Sequence, residues 1–177
     1  MRRIAIGLVL LAVASAAAAQ DRSPLVLQPG EAITLRLDGD GATLARENPG
    51  PADWTPFDLT VARHLSGLTP PNGPAPAMAL PNDGSLPPEP AVGRDRVRLR
   101  FLSIADQHSL LILENGYDRG LVFQARITRD GTARPTAVCL VLPMHHGFEH
   151  WPYRTERIEI SNVHFVPWRP GDPVPCA

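Results

Sequence analysis

The 177-residue chain contains no lysine, so every one of its basic residues is arginine. Schiff-base chemistry and other lysine-assisted mechanisms are thereby excluded. Cysteine is nearly as scarce: there are only Cys139 and Cys176, and neither has a partner residue at zinc-ligand spacing. Beyond the first twenty residues no apolar run approaches the roughly 20 residues needed to span a bilayer. The chain also lacks a G-x-S-x-G nucleophile elbow, a glycine-rich phosphate loop between a strand and a helix, and any internal repeat. A basic excess is missing too, since the formal net charge is −1. That balance argues against nucleic-acid binding, which calls for a strongly basic patch.

What is present begins with MRRIAIGLVLLAVASAAAAQ. Two arginines, an apolar stretch and small residues ending in Ala17-Ala18-Ala19 form the three-part layout of a secretory signal peptide over residues 1–19. Cleavage is expected between Ala19 and Gln20. Loss of Arg2 and Arg3 leaves 15 basic against 18 acidic residues, a net charge of −3. In an oxidising compartment Cys139 and Cys176 are expected to form a disulfide that ties the tail GDPVPCA back to the body. Residues 20–177 amount to about one domain by length. The expected location is periplasmic or extracellular, without a membrane span.

Glycine and proline number 14 and 20, and they cut the chain into short apolar runs that suit strands and turns better than helices. Residues 32–37 alternate and end in Asp38-Gly39-Asp40-Gly41, a hairpin signal followed by a weak second strand. Thr55, Pro56 and Asp58 resemble a helix start, with Phe57, Val61, Leu65 and Leu68 on one face and Gly67 as the stop. One short helix is expected near 56–66. Residues 69–93 read as a proline-rich surface loop. Residues 96–105 alternate with Val97, Leu99 and Phe101 on one face, and residues 110–113, 121–128 and 137–142 follow as further strands. Glu114-Asn115-Gly116 and Arg129-Asp130-Gly131 are read as the turns between them. The last strand, 157–166, changes phase after Ile160, which places a bulge near Ser161 and Asn162. The expected fold is all-β: an antiparallel β-sandwich of about seven or eight strands.

Two constellations could carry chemistry. In HHGFEH, residues 145–150, the stretch from His146 to His150 fits the H-x-x-E-H zinc-protease pattern. That pattern needs a helix to bring both histidines to one metal, and Pro143, Gly147 and Pro152 deny it one. A looser copper or zinc site remains open, with His145, His146, Glu149 and His150 as candidate ligands in a loop over residues 144–150 and Met144 as a soft neighbour. The alternative is that these are solvated loop histidines, with Phe148, Trp151 and Tyr153 folding the loop onto the sandwich.

The second constellation is GRDRVRLRF, residues 93–101. Arg94, Arg96, Arg98 and Arg100 recur at every second position, so a strand would project all four guanidinium groups from one face. Such a row can bind an anionic polymer or headgroup, or it can be a solvated face that discourages edge pairing. The leading functional expectation is an exported, non-catalytic binding or interaction module whose partner is an envelope protein, a polymer or a small ligand. A metal-binding exported protein and a small exported hydrolase are the alternatives.

Overall fold

A computed structural model describes residues 23–39, 41, 43–68 and 88–176. The signal-peptide expectation at 1–19 and most of the proline-rich loop expected at 69–93 fall outside these residues. Among the described residues the chain forms ten strands and one helix. The strands are β1 (Leu25–Leu27), β2 (Glu31–Leu37), β3 (Thr43–Arg46), β4 (Gly50–Pro51), β5 (Val97–Ile104), β6 (His108–Asn115), β7 (Gly120–Arg129), β8 (Thr132–Thr136), β9 (His146–Trp151) and β10 (Arg157–Val166), with α1 (Pro56–Ser66) between β4 and β5.

The strands make two antiparallel sheets. One has the order β1-β10-β7-β8, and the other has the order β3-β2-β5-β6-β9 with β4 sharing the edge of β2 beside β3. Their facing sides bury Ile33, Leu35, Val97, Leu99, Phe101, Leu111 and Leu113 from the larger sheet against Leu25, Leu27, Leu121, Phe123, Ile127, Ile158 and Ile160 from the smaller. Alternate residues of each strand supply this interior, as period-2 patterning requires. The fold is therefore the expected all-β sandwich, with ten strands among the described residues where seven or eight were expected.

The bulge in the last strand lies where the phase change puts it. The register of β10 against β7 shifts between Ser161 and His164, and Asn162 sits in the left-handed region at φ 51°. Two other expectations are corrected. Residues 137–142 form only isolated bridges, Leu121 with Val141 and Cys139 with Cys176. The strand after Asp130-Gly131 is instead TARPT, an edge position where Pro135 withholds no needed donor. The turn at 114–116 joins no hairpin either, because β6 and β7 belong to different sheets. Buried Asn115 holds that crossover: its amide donates to the carbonyls of Arg119 (2.8 Å) and Leu142 (3.0 Å), and its side-chain oxygen accepts from the Tyr117 N–H. At Gly116 a Cβ would stand 1.8 Å from the Gly93 carbonyl oxygen, so only glycine fits there.

Helix α1 starts where the sequence pattern indicates. The Thr55 side chain accepts from the Asp58 N–H, the Asp58 carboxylate accepts from the Thr55 N–H, and Gly67 closes the helix at φ 70°. Its first turns are sunk on all sides, with Phe57 through Ala62 buried, whereas Leu65, expected on the inner face, is 41% exposed. The helix lies on the outer face of the larger sheet, where Ala62 meets Leu102, Ile104, Leu110 and Ile112 in a second, smaller core.

Cys139 and Cys176 are disulfide-bonded across 37 residues of sequence. Closing a loop of that length stabilises the fold by about 4 kcal/mol in the chain-entropy model. The backbone bond from the Leu140 N–H to the Pro175 carbonyl (2.9 Å) reinforces the same attachment of the tail.

Candidate functional site

The arginine row expected at residues 94–100 does not form one exposed row. Arg94 and Arg96 precede β5, and Arg98 is half-buried within it. Arg100 is 2% exposed. Its guanidinium group is forked onto Asp58 of α1, with Nη2 to Oδ1 at 3.0 Å, and it also donates to the Asp53 carbonyl (3.1 Å) and pairs with Glu114 (3.2 Å). Buried and with its charge met by two carboxylates, this guanidinium is out of reach of an external anion.

The four metal-ligand candidates do not converge on a common point. HHGFEH is not a loop: residues 146–151 are β9, the edge strand beside β6. Alternation therefore sends His146, Phe148 and His150 to the outer face, opposite Glu114, Ile112 and Leu110, and turns Glu149 toward the sandwich interior. Glu149 accepts the Cys139 N–H at 2.6 Å, and burial raises its pKa above the ordinary carboxylate value. His145 and His146 both direct Nδ1 to Glu89, each at 2.7 Å. Burial alone would push the Glu89 carboxyl up, but hydrogen bonds from the His146 backbone and both imidazoles outweigh it and bring its pKa down. His146 also lies against Phe57 (ring centroids 5.8 Å) and stacks with Phe148 at 12°. His150 turns the other way and meets His108. Among the described residues no group of three or more histidine, cysteine, aspartate or glutamate side chains could hold a metal ion.

A cleft of about 310 Å³ opens at a place the sequence did not mark, beside the β7–β8 hairpin. Arg129, Arg134 and Tyr153 form its sides, with Ile127 and Pro135 as apolar lining and Thr132 and Thr136 as hydroxyl-bearing lining. The Arg129 guanidinium carbon lies 4.8 Å from the centroid of the Tyr153 ring, a cation–π distance. Asp130 pairs loosely with Arg129 at 3.4 Å across an exposed contact, so the lining carries two positive charges against one negative.

The frame around the cleft is fixed. Asp130 and Gly131, at φ 50° and 69°, form the two-residue turn between the paired Arg129 and Thr132. The Gly131 N–H donates to Glu156 (3.0 Å), and the buried Trp151 indole donates to Thr136 (2.8 Å). The only sequence signal available here was the Asp-Gly turn. Nothing local indicates that Tyr153, more than twenty residues downstream, returns to cover Arg129. Neither a family model, nor a curated protein, nor a solved structure matches the chain.

Proposed function

We propose that the chain is an exported, non-catalytic binding module that takes an anionic group in the cleft between Arg129, Arg134 and Tyr153. The observation that carries this reading is one cleft lined by two arginines, one of them, Arg129, lying over the Tyr153 ring. Guanidinium forks match carboxylate and phosphate oxygens two at a time, and the ring of Tyr153 offers an apolar face to the rest of the ligand. A volume near 310 Å³ lies at the lower end for ligand sites, which suits a small molecule or one unit of a polymer.

Export rests on the layout of residues 1–19 and agrees with the Cys139–Cys176 disulfide. No helix among the described residues is long and apolar enough to cross a membrane. The processed protein is expected to begin at Gln20, which N-terminal sequencing of material recovered from outside the cytoplasm will show.

The binding reading is tested by calorimetric titration with citrate, inorganic phosphate and a short oligogalacturonate at low and high salt. At least one is expected to bind saturably and to weaken with salt, because the attraction is partly exposed to solvent. The paired change R129Q and R134Q is expected to weaken that binding by about tenfold or more. Affinity unchanged by both substitutions, or no binding of any of the three at low salt, would remove the reading.

A further inference from the structure

The outer face of the larger sheet holds a pair of histidines that the cluster at 145–150 conceals. His108 opens β6 and His150 lies near the end of β9, and the two strands are neighbours. His150 is opposite Leu110, two residues beyond His108, so both imidazoles project from the same face on a diagonal. The His108 Nδ1 and the His150 Nε2 stand 3.0 Å apart, with ring planes 44° from each other. Both residues are half-buried. Such a pair shares a single proton between its two nitrogens when both rings are neutral, and a metal ion takes its place when that proton moves to the far nitrogen of its own ring.

The separation is short enough for one ion to reach both nitrogens. With metal–nitrogen bonds of about 2.0–2.1 Å, two neighbouring ligands at a right angle lie about 2.9 Å apart, while two ligands at a tetrahedral angle lie about 3.3 Å apart. The observed 3.0 Å lies near both, and among divalent first-row ions cupric ion is the one that imidazole nitrogen holds most tightly. We propose that His108 and His150 form a two-imidazole site for a cupric ion on the outer face of the larger sheet.

The surroundings set its character. Asp106, in the turn just before His108, is paired with Arg154 at 3.3 Å. No third histidine, cysteine or carboxylate joins the pair among the described residues, so water completes the coordination. A site with two protein ligands exchanges its ion readily and holds it more weakly than a closed four-ligand site. It also leaves positions open for an external donor.

The test uses the untagged chain, stripped with chelator and titrated with cupric ion near pH 7.5, about one unit above the ordinary imidazole pKa. One site per chain is expected, with Kd on the order of micromolar and an electron paramagnetic resonance spectrum of tetragonal type with hyperfine structure from nitrogen. H150A and H108A are each expected to weaken binding by about tenfold or more. The double change H145A and H146A is expected to leave it within about twofold. Thermal unfolding without metal establishes that each variant is folded, and because the two histidines lie on different strands, either folded single variant decides the matter. Full binding retained by a folded H150A or H108A, loss confined to the 145–146 variant, or no site in the parent chain would overturn the proposal.

Discussion

On the inner face of the larger sheet, Leu99, Phe101, Leu111 and Leu113 meet the opposite sheet through apolar contact alone. On its outer face, one residue away along the same strands, Arg100 is sealed beneath α1 against Asp58 and Glu114. The inner face resists water in whatever register the side chains interlock, because hydrophobic burial is not directional. The outer face is directional. A buried guanidinium tolerates its surroundings only when carboxylates and carbonyls surround it, and Asp58 can reach it from only one placement of the helix. Asp58 also belongs to the capping box, so the same carboxylate starts the helix and docks it. The difference is that apolar contact alone joins the two sheets at these positions, whereas the helix docks through a small apolar patch and a buried, directional ion pair.

Breaking that pair should have the largest effect. R100M leaves the Asp58 carboxylate buried without its partner and is expected to destabilise the chain by about 3–5 kcal/mol in urea unfolding, with the amides of α1 losing exchange protection first. The comparison is sharpened by adding D58L. With Asp58 and Arg100 both replaced the deficit is expected to shrink to about 1–2 kcal/mol, the remaining cost being the lost helix cap and a Glu114 carboxylate left without its partner. A double variant as unstable as R100M would mean that pairing is not what the outer face depends on.

Truncation on the inner face is expected to act differently. L111A should cost about 2–4 kcal/mol through lost burial and a residual cavity. Exchange protection should fall across both sheets together and not first in α1. Selective loosening of the helix in L111A would show that the two faces are not energetically separable.

The smallest effects concern β9, where Glu149 faces inward and His150 outward. Burial holds the Glu149 pKa above 4.5, so the stability linked to its protonation is complete below 4.5 and falls as pH rises through the folded value. Burial first, and then the charge of His108, hold the His150 pKa below 6.5. Its contribution is complete above 6.5 and is lost as pH falls through the lower folded value. In chelator, melting temperature followed against pH should therefore change in opposite senses for E149Q and H150Q. E149Q should gain at neutral pH, because the amide oxygen still accepts the Cys139 N–H, and H150Q should gain only on the acid side. Equal changes at all pH values would refute the assignment of the two faces.

Much of the fold was legible where the deciding interactions are close in sequence. The capping box of Thr55 and Asp58, the stop at Gly67, the alternation of Val97, Leu99 and Phe101 and the bulge at Asn162 all appear where their local patterns place them. The candidate sites were far less legible. The four arginines of residues 94–100 share a period, but period alone does not reveal that a helix covers one of them. HHGFEH resembles a ligand cluster only while it is read as a loop. Once it is a strand, alternation separates Glu149 from its neighbours, and the partners of His146 and His150 come from opposite directions. The cleft was missed because TARPT and Tyr153 have no composition that distinguishes a binding wall from an ordinary edge.

By itself the sequence determined what can be settled within about one turn or one hairpin: strand periodicity, helix ends, tight turns, and a cysteine pair with no competitor. Only the tertiary structure decided that β7 leaves β6 for the other sheet, and that Arg100 meets Asp58 from 42 positions away, His146 meets Glu89 from 57, and His108 meets His150 from 42. The physical reason is register. Which side chains become neighbours across strands depends on how two distant segments align, and a slip of one residue in β5, β6 or β9 would send Arg100, His108, His146 or His150 to the opposite face, away from its partner.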